Sequence, residues 1–351
     1  MANDSESRID LELGSWLKEE GKSSEVVISS RIRLARNLSS RPFPNRAQEE
    51  ALKDIDDEIA EVLLEFGRTG LKRYNLAELN DLEKLTLVEK HLLSRQQSRE
   101  SGGRSVYLNE EQTISIMSNE EDHLRMQFIA PGEELDTAWQ EASSFDDLLD
   151  ERLDFAFDRK YGYLTACPTN LGTGLRASVM LHLPGLSLAG SIKKLLGSIG
   201  KFGLTFRGLY GEGSEAEGSI YQLSNQVTLG RSEEEIIESL ESVLGQIKSQ
   251  EKKTRAEIMA EREAEIKDRI FRALGVLKHA YSLASMESVR LISLLLLGRC
   301  YGIIKIEREK LFKLLIKTRP AHLQLLNGGS LPPEERDLKR AEIFRRELAG
   351  V

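Results

Sequence analysis

Arginine alternates with apolar residues at several separate places in this sequence. In VVISSRIRLARN, Arg31 and Arg33 are two residues apart, so an extended backbone points both to one face. Arg125 and Arg207 stand beside apolar residues of predicted strands in the same way. A guanidinium donates two parallel hydrogen bonds to phosphate oxygens and stays charged at any working pH. Although most single arginines form surface salt bridges, the repeated pattern predicts a site for a triphosphate.

A glycine-rich turn precedes another arginine. Arg176 follows Gly172-Thr173-Gly174, and residues 174–183 are predicted to form a helix. The first turn of a helix has free backbone N–H groups and the positive end of the helix dipole, which favour anions. Arg176 is therefore predicted to join the phosphate-binding arginines. A Walker A lysine motif, a Rossmann glycine fingerprint and a protein-kinase catalytic loop are missing from the sequence.

Composition indicates a globular chain of one or two domains. Its 351 residues are 30% charged and 40% hydrophobic, and the net charge of −8 argues against a nucleic-acid or anionic-membrane binder. With only two cysteines, Cys167 and Cys300, no disulfide framework is expected, and Cys300 is interpreted as a core residue. A cytoplasmic location is expected, because no signal-peptide pattern opens the chain and the most apolar run, 291–297, is too short to cross a bilayer.

The apolar spacing predicts an α+β fold. Leu, Ile and Val recur at three- and four-residue spacing in some segments, whereas short alternating runs favour an antiparallel sheet with one buried face. The predicted helices cover 46–66, 81–93, 133–151, 174–183 and 231–249. The predicted strands cover 105–108, 113–117, 124–129, 161–166, 203–207 and 219–229.

The character of the sequence changes near residue 250. The stretch 251–268 is highly charged and helical, and no strand is predicted after it. Pro332 and Pro333 open a last helix, in the first turn where proline is tolerated. The predicted organisation is an N-terminal segment at 1–23, an α+β domain at 24–254 and an all-helical domain at 255–351.

Five segments resemble the catalytic domain of the phosphagen (guanidino) kinase family. The most specific are NEEDHLR at 119–125 and CPTNLGTGLRAS at 167–178. The others are SSRIRLARN at 29–37, RGLYGEGSEAEG at 207–218 and IYQLSNQVTLG at 220–230. The resemblance implies a phosphagen-kinase-like catalytic domain, in which an antiparallel sheet is flanked by helices.

The remaining sequence resembles bacterial protein arginine kinases of the McsB type. The extended N-terminal helical domain of small-molecule guanidino kinases is not found, and the helical C-terminal region is similar to that of the McsB type throughout. It includes an RDxxRA motif, here residues 336–341. The resemblance implies that Arg336, Asp337 and Arg340 bind phosphoarginine and that this domain contributes to dimerisation. An ion-pair network on a helix surface is the alternative.

The resemblance also implies a site for ATP and Mg²⁺, in which the nucleotide carries the metal and the protein alone binds none. The loop from Arg207 to Glu212 would close on the phosphates. The implied nucleotide-binding residues are Ser29, Ser30, Arg31, Ile32, Arg33, His91, Arg125, Arg176, Ala177, Ser178, Val179, Met180, Arg207, Gly208, Leu209, Tyr210, Gly211 and Glu212.

By the same resemblance, three residues act on the acceptor guanidinium. The pKa of a guanidinium is roughly nine units above that of a carboxylic acid, so a carboxylate takes its proton only as the N–P bond forms. Glu212 is the predicted proton acceptor, and Glu121 is predicted to hold the guanidinium in line with the γ-phosphorus. Cys167 is predicted to steady the cation as a thiolate, burial as core filler being its alternative role.

These features predict an ATP-dependent protein arginine kinase that marks proteins for Clp-type proteolysis in stress. The family implies protein substrates with exposed arginine, and as partners a zinc-containing activator protein, a heat-shock repressor and a Clp ATPase. It also implies a homodimer or higher homo-oligomer. Two alternatives stay open: a kinase acting on a small guanidino compound, and a catalytically silent adaptor that binds phosphoarginine.

Overall fold

A computed structural model describes residues 7–65, 70–208 and 216–351. Eight of its strands form one antiparallel sheet, in the order β2-β3-β4-β5-β1-β8-β10-β9, and β6 and β7 form a separate hairpin. The strands are β1 (Val27–Arg36), β2 (Lys72–Asn75), β3 (Ser105–Leu108), β4 (Ile114–Ser118), β5 (Leu124–Pro131), β6 (Phe157–Asp158), β7 (Gly162–Tyr163), β8 (Leu175–His182), β9 (Leu204–Gly208) and β10 (Ile220–Asn225).

Helices flank this sheet and form the C-terminal region, which confirms the predicted α+β class. Two of them begin at capping boxes: Asn80 and Ser232 each exchange hydrogen bonds with a glutamate three residues later. The helices are α1 (Ser15–Lys18), α2 (Glu49–Glu65), α3 (Asp81–Glu89), α4 (Leu135–Asp150), α5 (Pro184–Leu188), α6 (Ile192–Ile199), α7 (Glu233–His279), α8 (Ser285–Cys300), α9 (Arg308–Lys317), α10 (Pro320–Leu326) and α11 (Pro333–Glu347).

The central strands have two chemically different faces, because side chains alternate along a strand. On one face, Ile32, Phe128 and Leu223 are fully buried in a core shared with α2, α4 and the first half of α7. Their burial removes a large apolar area from water, at about 25 cal/mol per Å². We call the opposite face the basic face, because it carries Arg31 and Arg33.

The predicted helix at 174–183 is wrong, since Leu175–His182 is a central strand between β1 and β10. Leu175, Ala177, Val179 and Leu181 occupy alternate positions, and all four are buried in the core. This period of two fits a strand, and tertiary packing overrides the helix propensity of leucine and alanine. Arg176 therefore lies on a strand, and the argument from a helix N-terminus does not apply to it.

Other differences from the predicted elements are smaller. Only Gly162–Tyr163 of the predicted strand 161–166 is extended in a sheet, β10 ends at Asn225, and the strand β2 is not predicted. The helix α7 runs on to His279, so it crosses the predicted boundary at 254/255. That boundary stays a prediction about domain organisation.

The C-terminal helices pack against the large sheet through a second hydrophobic core. This core joins Ile9 and Trp16 of the N-terminal segment to Ile292 and Phe344 of α8 and α11. Arg308 of α9 fixes the arrangement by donating to the carbonyl oxygens of Leu17 (3.2 Å), Glu19 (2.9 Å) and Ile28 (3.2 Å). Across the described ranges, no helix is both long and apolar enough to span a membrane.

Candidate active site

The sheet register brings arginines from several strands to the basic face. Arg33 of β1 pairs directly with Arg176 of β8 and with Gln127 of β5, while Gln222 of β10 pairs with Arg207 of β9. Arg125 lies on the same face, two residues before Gln127. Directly paired residues point the same way, so β5, β1, β8 and, beyond β10, β9 carry these cations on one face of the sheet.

A glycine permits the close approach of β8 to the end of β1. Gly174 has a φ of +65°, and a Cβ on it would lie 2.6 Å from the carbonyl oxygen of Ala35. Its own carbonyl accepts from the Ala35 N–H at 3.0 Å. Any larger residue would separate the two strands just where Arg176 and Arg33 meet.

Several donors of this cluster are buried without a hydrogen-bond partner among the described residues. They are Nε and Nη2 of Arg33 and Nε of Arg176. Arg31 donates to uncharged oxygens, those of Ser178 (3.4 Å), Gln127 (3.3 Å) and Gln222 (3.0 Å). Leaving buried donors unpaired is costly, which indicates that an anion supplies the missing acceptors.

The electrostatics of the cluster also favour an anion. Burial, followed by the charges of the neighbouring arginines, lowers the pKa of Arg31 to about 9 and that of Arg33 well below its usual range. Arg125 differs from these two in having a protein carboxylate as partner, since it donates to Glu120 at 2.8 Å. A polyanion placed against this face would relieve the repulsion among the remaining cations.

Arginines and carboxylates together line a cavity of about 150 Å³. Its lining includes Arg33, Arg125 and Arg176 and also Glu121 and its neighbours Glu120 and Asp122. Burial, and then the charges of Asp122 and Glu120, raises the pKa of Glu121. A site that has both cations and carboxylates in its lining suits transfer of a phosphoryl group to a cationic acceptor.

The Cys167 thiol is near Glu121. Its interaction with the Glu121 side chain partly opposes the rise in the pKa of that carboxyl. The Cys167 Sγ lies 3.0 Å from Thr169 Oγ1. Arg176 is close enough for its charge to interact with Cys167. The structure thus places two of the three predicted catalytic residues near each other; Glu212, the third, lies outside the described residues.

His91 borders a second cavity, of about 310 Å³, that adjoins the first at Arg125. Burial, and then the charges of Arg31 and Arg319, lowers the pKa of His91 to about 3, so the imidazole is neutral at working pH. Its main-chain carbonyl accepts from Gln127 Nε2 at 2.8 Å. Arg319, from the C-terminal helices, also lines this cavity; its position so far along the chain gave no signal in the sequence.

A third cavity, of about 240 Å³, continues the basic face toward β9. Arg176, Thr205 and Arg207 line it, and Arg207 is exposed. Gly208 ends β9 beside Arg207. Leu209, Tyr210 and Gly211, predicted with Glu212 to close over phosphates, lie outside the described residues.

Some of the predicted nucleotide-binding residues lie away from the basic face. The side chains of Ile32, Ala177 and Val179 are buried in the hydrophobic core on the other side of the sheet. Ser30 Oγ donates to the Gly132 carbonyl at 2.8 Å and accepts from the Glu134 N–H at 3.0 Å. Ser29, Ser178 and Met180 share the basic face through their register with its residues.

The predicted phosphoarginine-binding residues lie on α11. Arg340 is fully buried and donates to the carbonyl oxygens of Thr318 (2.9 Å) and Leu283 (2.7 Å) and to the Asp337 carboxylate. Arg336 is half-buried. Arg340 therefore joins α11 to the turn before α10, and Arg336 is the better placed of the two to meet a ligand.

The residues described provide no metal site made of protein groups alone. Within them, no three His, Cys, Asp or Glu side chains gather in a way that could hold a metal ion. The buried, unpaired donors of Arg33 and Arg176 fit the phosphate oxygens of a nucleotide instead. Cys300, predicted to be a core residue, is exposed at the end of α8, so that interpretation is wrong.

Comparisons with known proteins agree on one family. Residues 54–254 match the family model for the ATP:guanido phosphotransferase C-terminal catalytic domain, and residues 263–351 match the model for the protein-arginine kinase McsB C-terminal domain. A protein-arginine kinase of Halothermothrix orenii is 49% identical over 97% of this chain and 98% of its own. That of Bacillus subtilis is 44% identical over 96% of this chain and 93% of its own.

Solved structures with the same fold include other guanidino kinases. The crystal structure of lombricine kinase is 25% identical, with a TM-score of 0.60 over 72% of this chain and 73% of that one. The duplicated taurocyamine kinase of Schistosoma mansoni, with bound transition-state analogue components, is 28% identical, with a TM-score of 0.58 over 67% of this chain and 35% of that one. The sheet and its flanking helices are therefore those of phosphagen kinases.

Proposed function

This chain belongs to the ATP:guanido phosphotransferase family, in its protein-arginine kinase branch, and we propose that it transfers the γ-phosphoryl group of ATP to arginine side chains of proteins. The observation that carries the proposal is the cavity that Glu121 lines together with Arg33 and Arg176. In this cavity a polyanion can bind to the arginines, and a guanidinium can bind next to it at the carboxylates.

The arginines of the basic face bind and orient the triphosphate. Arg33 and Arg176 offer buried donors that have no other acceptor among the described residues, so a phosphate oxygen gains their full hydrogen-bonding capacity. Mg²⁺, which arrives with the nucleotide, would neutralise charge on the phosphate oxygens. Because the donors are already in place, little reorganisation is needed as charge redistributes in the transition state.

Glu121 holds the acceptor guanidinium in the same cavity. Its carboxylate can accept two N–H bonds and aim the third nitrogen at phosphorus, which is catalysis by orientation. The adjoining Cys167 sulfur adds polarisable density beside the cation. The acceptor nitrogen loses its proton as the N–P bond forms, and we assign that proton to Glu212.

Incubation with ATP–Mg²⁺ and a disordered arginine-containing protein tests the function. Phosphosite mapping under non-acidic conditions, which preserve the P–N bond, should find phosphate on arginine. Glu121→Gln should lower the rate by at least about 10²-fold, the cost of a lost orienting group. Arg272→Met, at an exposed ion pair with Asp268 on α7, is the matched control. Equal turnover of free arginine would defeat the choice of a protein substrate.

We further propose that Arg336 and Asp337 bind phosphoarginine. Asp337 is about one-third exposed, so its second oxygen can accept from a ligand guanidinium while Arg336 holds the phosphate. Asp337→Ala should weaken binding of a phosphoarginine peptide about tenfold or more, the worth of a charged hydrogen bond. Unchanged affinity in a variant that still folds would leave Asp337 only its ion pair with Arg340.

The remaining partners are proposed from the family resemblance. They are a zinc-containing activator protein, a heat-shock repressor substrate and a Clp ATPase that receives marked proteins. We also propose that this chain forms a homodimer and that it acts in the cytoplasm. Light scattering of the purified protein would measure the oligomer, and co-purification from cytoplasmic extract would identify the partners. A monomer at all concentrations would remove the dimer.

A further inference from the structure

One carboxylate of the cavity lining, that of Asp122, already accepts hydrogen bonds from other protein groups. Asp122 is almost fully buried, and its Oδ1 accepts from Asn37 Nδ2 and from the Ala166 N–H, both at 2.6 Å. Burial raises the pKa of Asp122, and these two hydrogen bonds are the main opposing influence. The oxygen therefore joins the end of β1 to the segment that follows β7.

That segment carries Cys167. Ala166, whose N–H Asp122 accepts, directly precedes it, and Asn37 Nδ2 also donates to the Leu164 carbonyl at 3.0 Å. Thr165 Oγ1 donates to the Cys167 carbonyl at 2.8 Å. The backbone is thus held at Leu164 and Ala166 by the Asp122–Asn37 pair and at the Cys167 carbonyl by the Thr165 hydroxyl.

The support for this pair is itself rigid. Asn37 Oδ1 accepts from the His123 N–H at 2.9 Å, and His123 Nδ1 accepts from the Leu38 N–H at 3.0 Å. Both Asn37 and His123 are fully buried. Asp122 lies between Glu121 and His123 in sequence, so one fixed strand end places Glu121 and, through Asp122, the thiol near it.

We propose that Asp122 is a positioning residue, which holds Cys167 near Glu121 through the Oδ1 hydrogen bonds. The proposal rests on the proposed roles of Glu121 and Cys167 in phosphoryl transfer to the guanidinium. It is the carbonyl-type oxygen of Asp122 that matters, because both of its contacts are N–H donors. Its negative charge is secondary and helps to raise the pKa of Glu121.

Two substitutions separate position from charge. Asp122→Asn keeps an acceptor oxygen for Asn37 and Ala166 but removes the charge, whereas Asp122→Ala removes both. Asp122→Ala should lower kcat about 10²-fold with KM for ATP changed less than about threefold, since the phosphate-binding arginines are untouched. Asp122→Asn should recover most of that kcat. If the kcat of Asp122→Asn is as low as that of Asp122→Ala, the charge of Asp122 and not its hydrogen bonding matters, and the proposal fails.

The alkylation rate of Cys167 tests whether Asp122 positions the thiol, and it needs no kinase assay. In a Cys300→Ser background, iodoacetamide modification followed by intact-mass spectrometry should be at least about threefold faster in Asp122→Ala, because the thiol moves away from Glu121 and gains access to solvent. Asp122→Asn should match the parent. Equal rates in Asp122→Ala and the parent overturn the proposal, even if no variant phosphorylates arginine.

Thermal unfolding followed by circular dichroism establishes that each variant is folded. If Asp122→Ala does not fold, Asp122→Ser takes its place, since its shorter side chain cannot reach both Asn37 and Ala166. The same alkylation and kcat outcomes then apply to it. The kinase result and the alkylation result fail independently, so an error in the proposed function is distinguishable from an error in the role of Asp122.

Discussion

Arg33 and Arg36 of β1 lie on opposite faces of the sheet and differ in whether their donors have hydrogen-bond partners. Arg36 is fully buried and donates to the Asp146 carboxylate at 2.6 Å and to the carbonyl of Thr173 at 3.0 Å, with its guanidinium 3.4 Å from the centre of the Tyr163 ring. Arg33 has buried donors without partners among the described residues. The contrast teaches that the fold satisfies an arginine that serves structure and leaves unsatisfied one that serves a ligand.

The largest expected effect is on activity at Arg33. Arg33→Met should lower phosphoryl transfer by about 10³-fold, because it removes preorganised donors aimed at the phosphates. It should also abolish the rise in Tm that ATP gives the parent enzyme. Radiolabel transfer from ATP and thermal shift measure the two effects. Arg272→Met should behave as the parent, and full activity in Arg33→Met would break the comparison.

The next effect is on stability at Arg36. Arg36→Met should destabilise the protein by about 3–5 kcal/mol, the cost of breaking a buried ion pair and stranding one partner, here Asp146. Urea unfolding measures this change. A loss below about 1 kcal/mol would mean that Asp146 is solvated or protonated at little cost in the variant.

The opposite sign is expected for stability at Arg33. Arg33→Met should stabilise the ATP-free protein by about 1 kcal/mol, since it replaces a half-buried cation, two of whose donors have no partner among the described residues, by an apolar side chain. The same urea titration measures it, without nucleotide. Destabilisation would show that Arg33 has a structural partner and that the two faces differ less than we infer.

The smallest effect concerns pH at Glu121. Its pKa in the folded protein is raised, so its protonated form contributes stability that is present below the ordinary value of 4.5 and is lost as pH rises through the raised value. Glu121→Gln should thus be more stable than the parent at neutral pH, by less than about 1 kcal/mol because the group is partly solvated. The two should converge once the pH falls below the ordinary value. A gain that persists there would point to another cause.

The sequence predicts those elements whose period is unambiguous. The predicted strands 105–108, 113–117 and 124–129 match β3, β4 and β5 to within two residues, because their apolar alternation is packed on the sheet's two faces in a regular way. At 174–183 the alternation was outweighed by leucine and alanine, which are good helix formers. The neighbours β1 and β10, far away in sequence, impose a strand there.

The candidate site was predictable only in part. Periodicity places Arg31 and Arg33 on one face, but which strands neighbour β1 is a matter of topology. Family motifs supplied Glu121 and Cys167. Asn37 lies inside one of those motifs, yet its role depends on the fold of residues 164–166, and Arg319 reaches the His91 cavity only because α10 packs on α3. Local patterns do not encode such contacts between distant segments.

The helix α7 belongs to both hydrophobic cores. Ile236 and Leu244 lie in the first core, Ile258 and Ile270 lie in the second, and Arg262 interrupts the regular helical backbone within the second half. If α7 came away from one core, the apolar residues of the other core would therefore also be exposed to water. We expect calorimetry to show a single endotherm, with the catalytic sheet and the C-terminal helices melting as one cooperative unit.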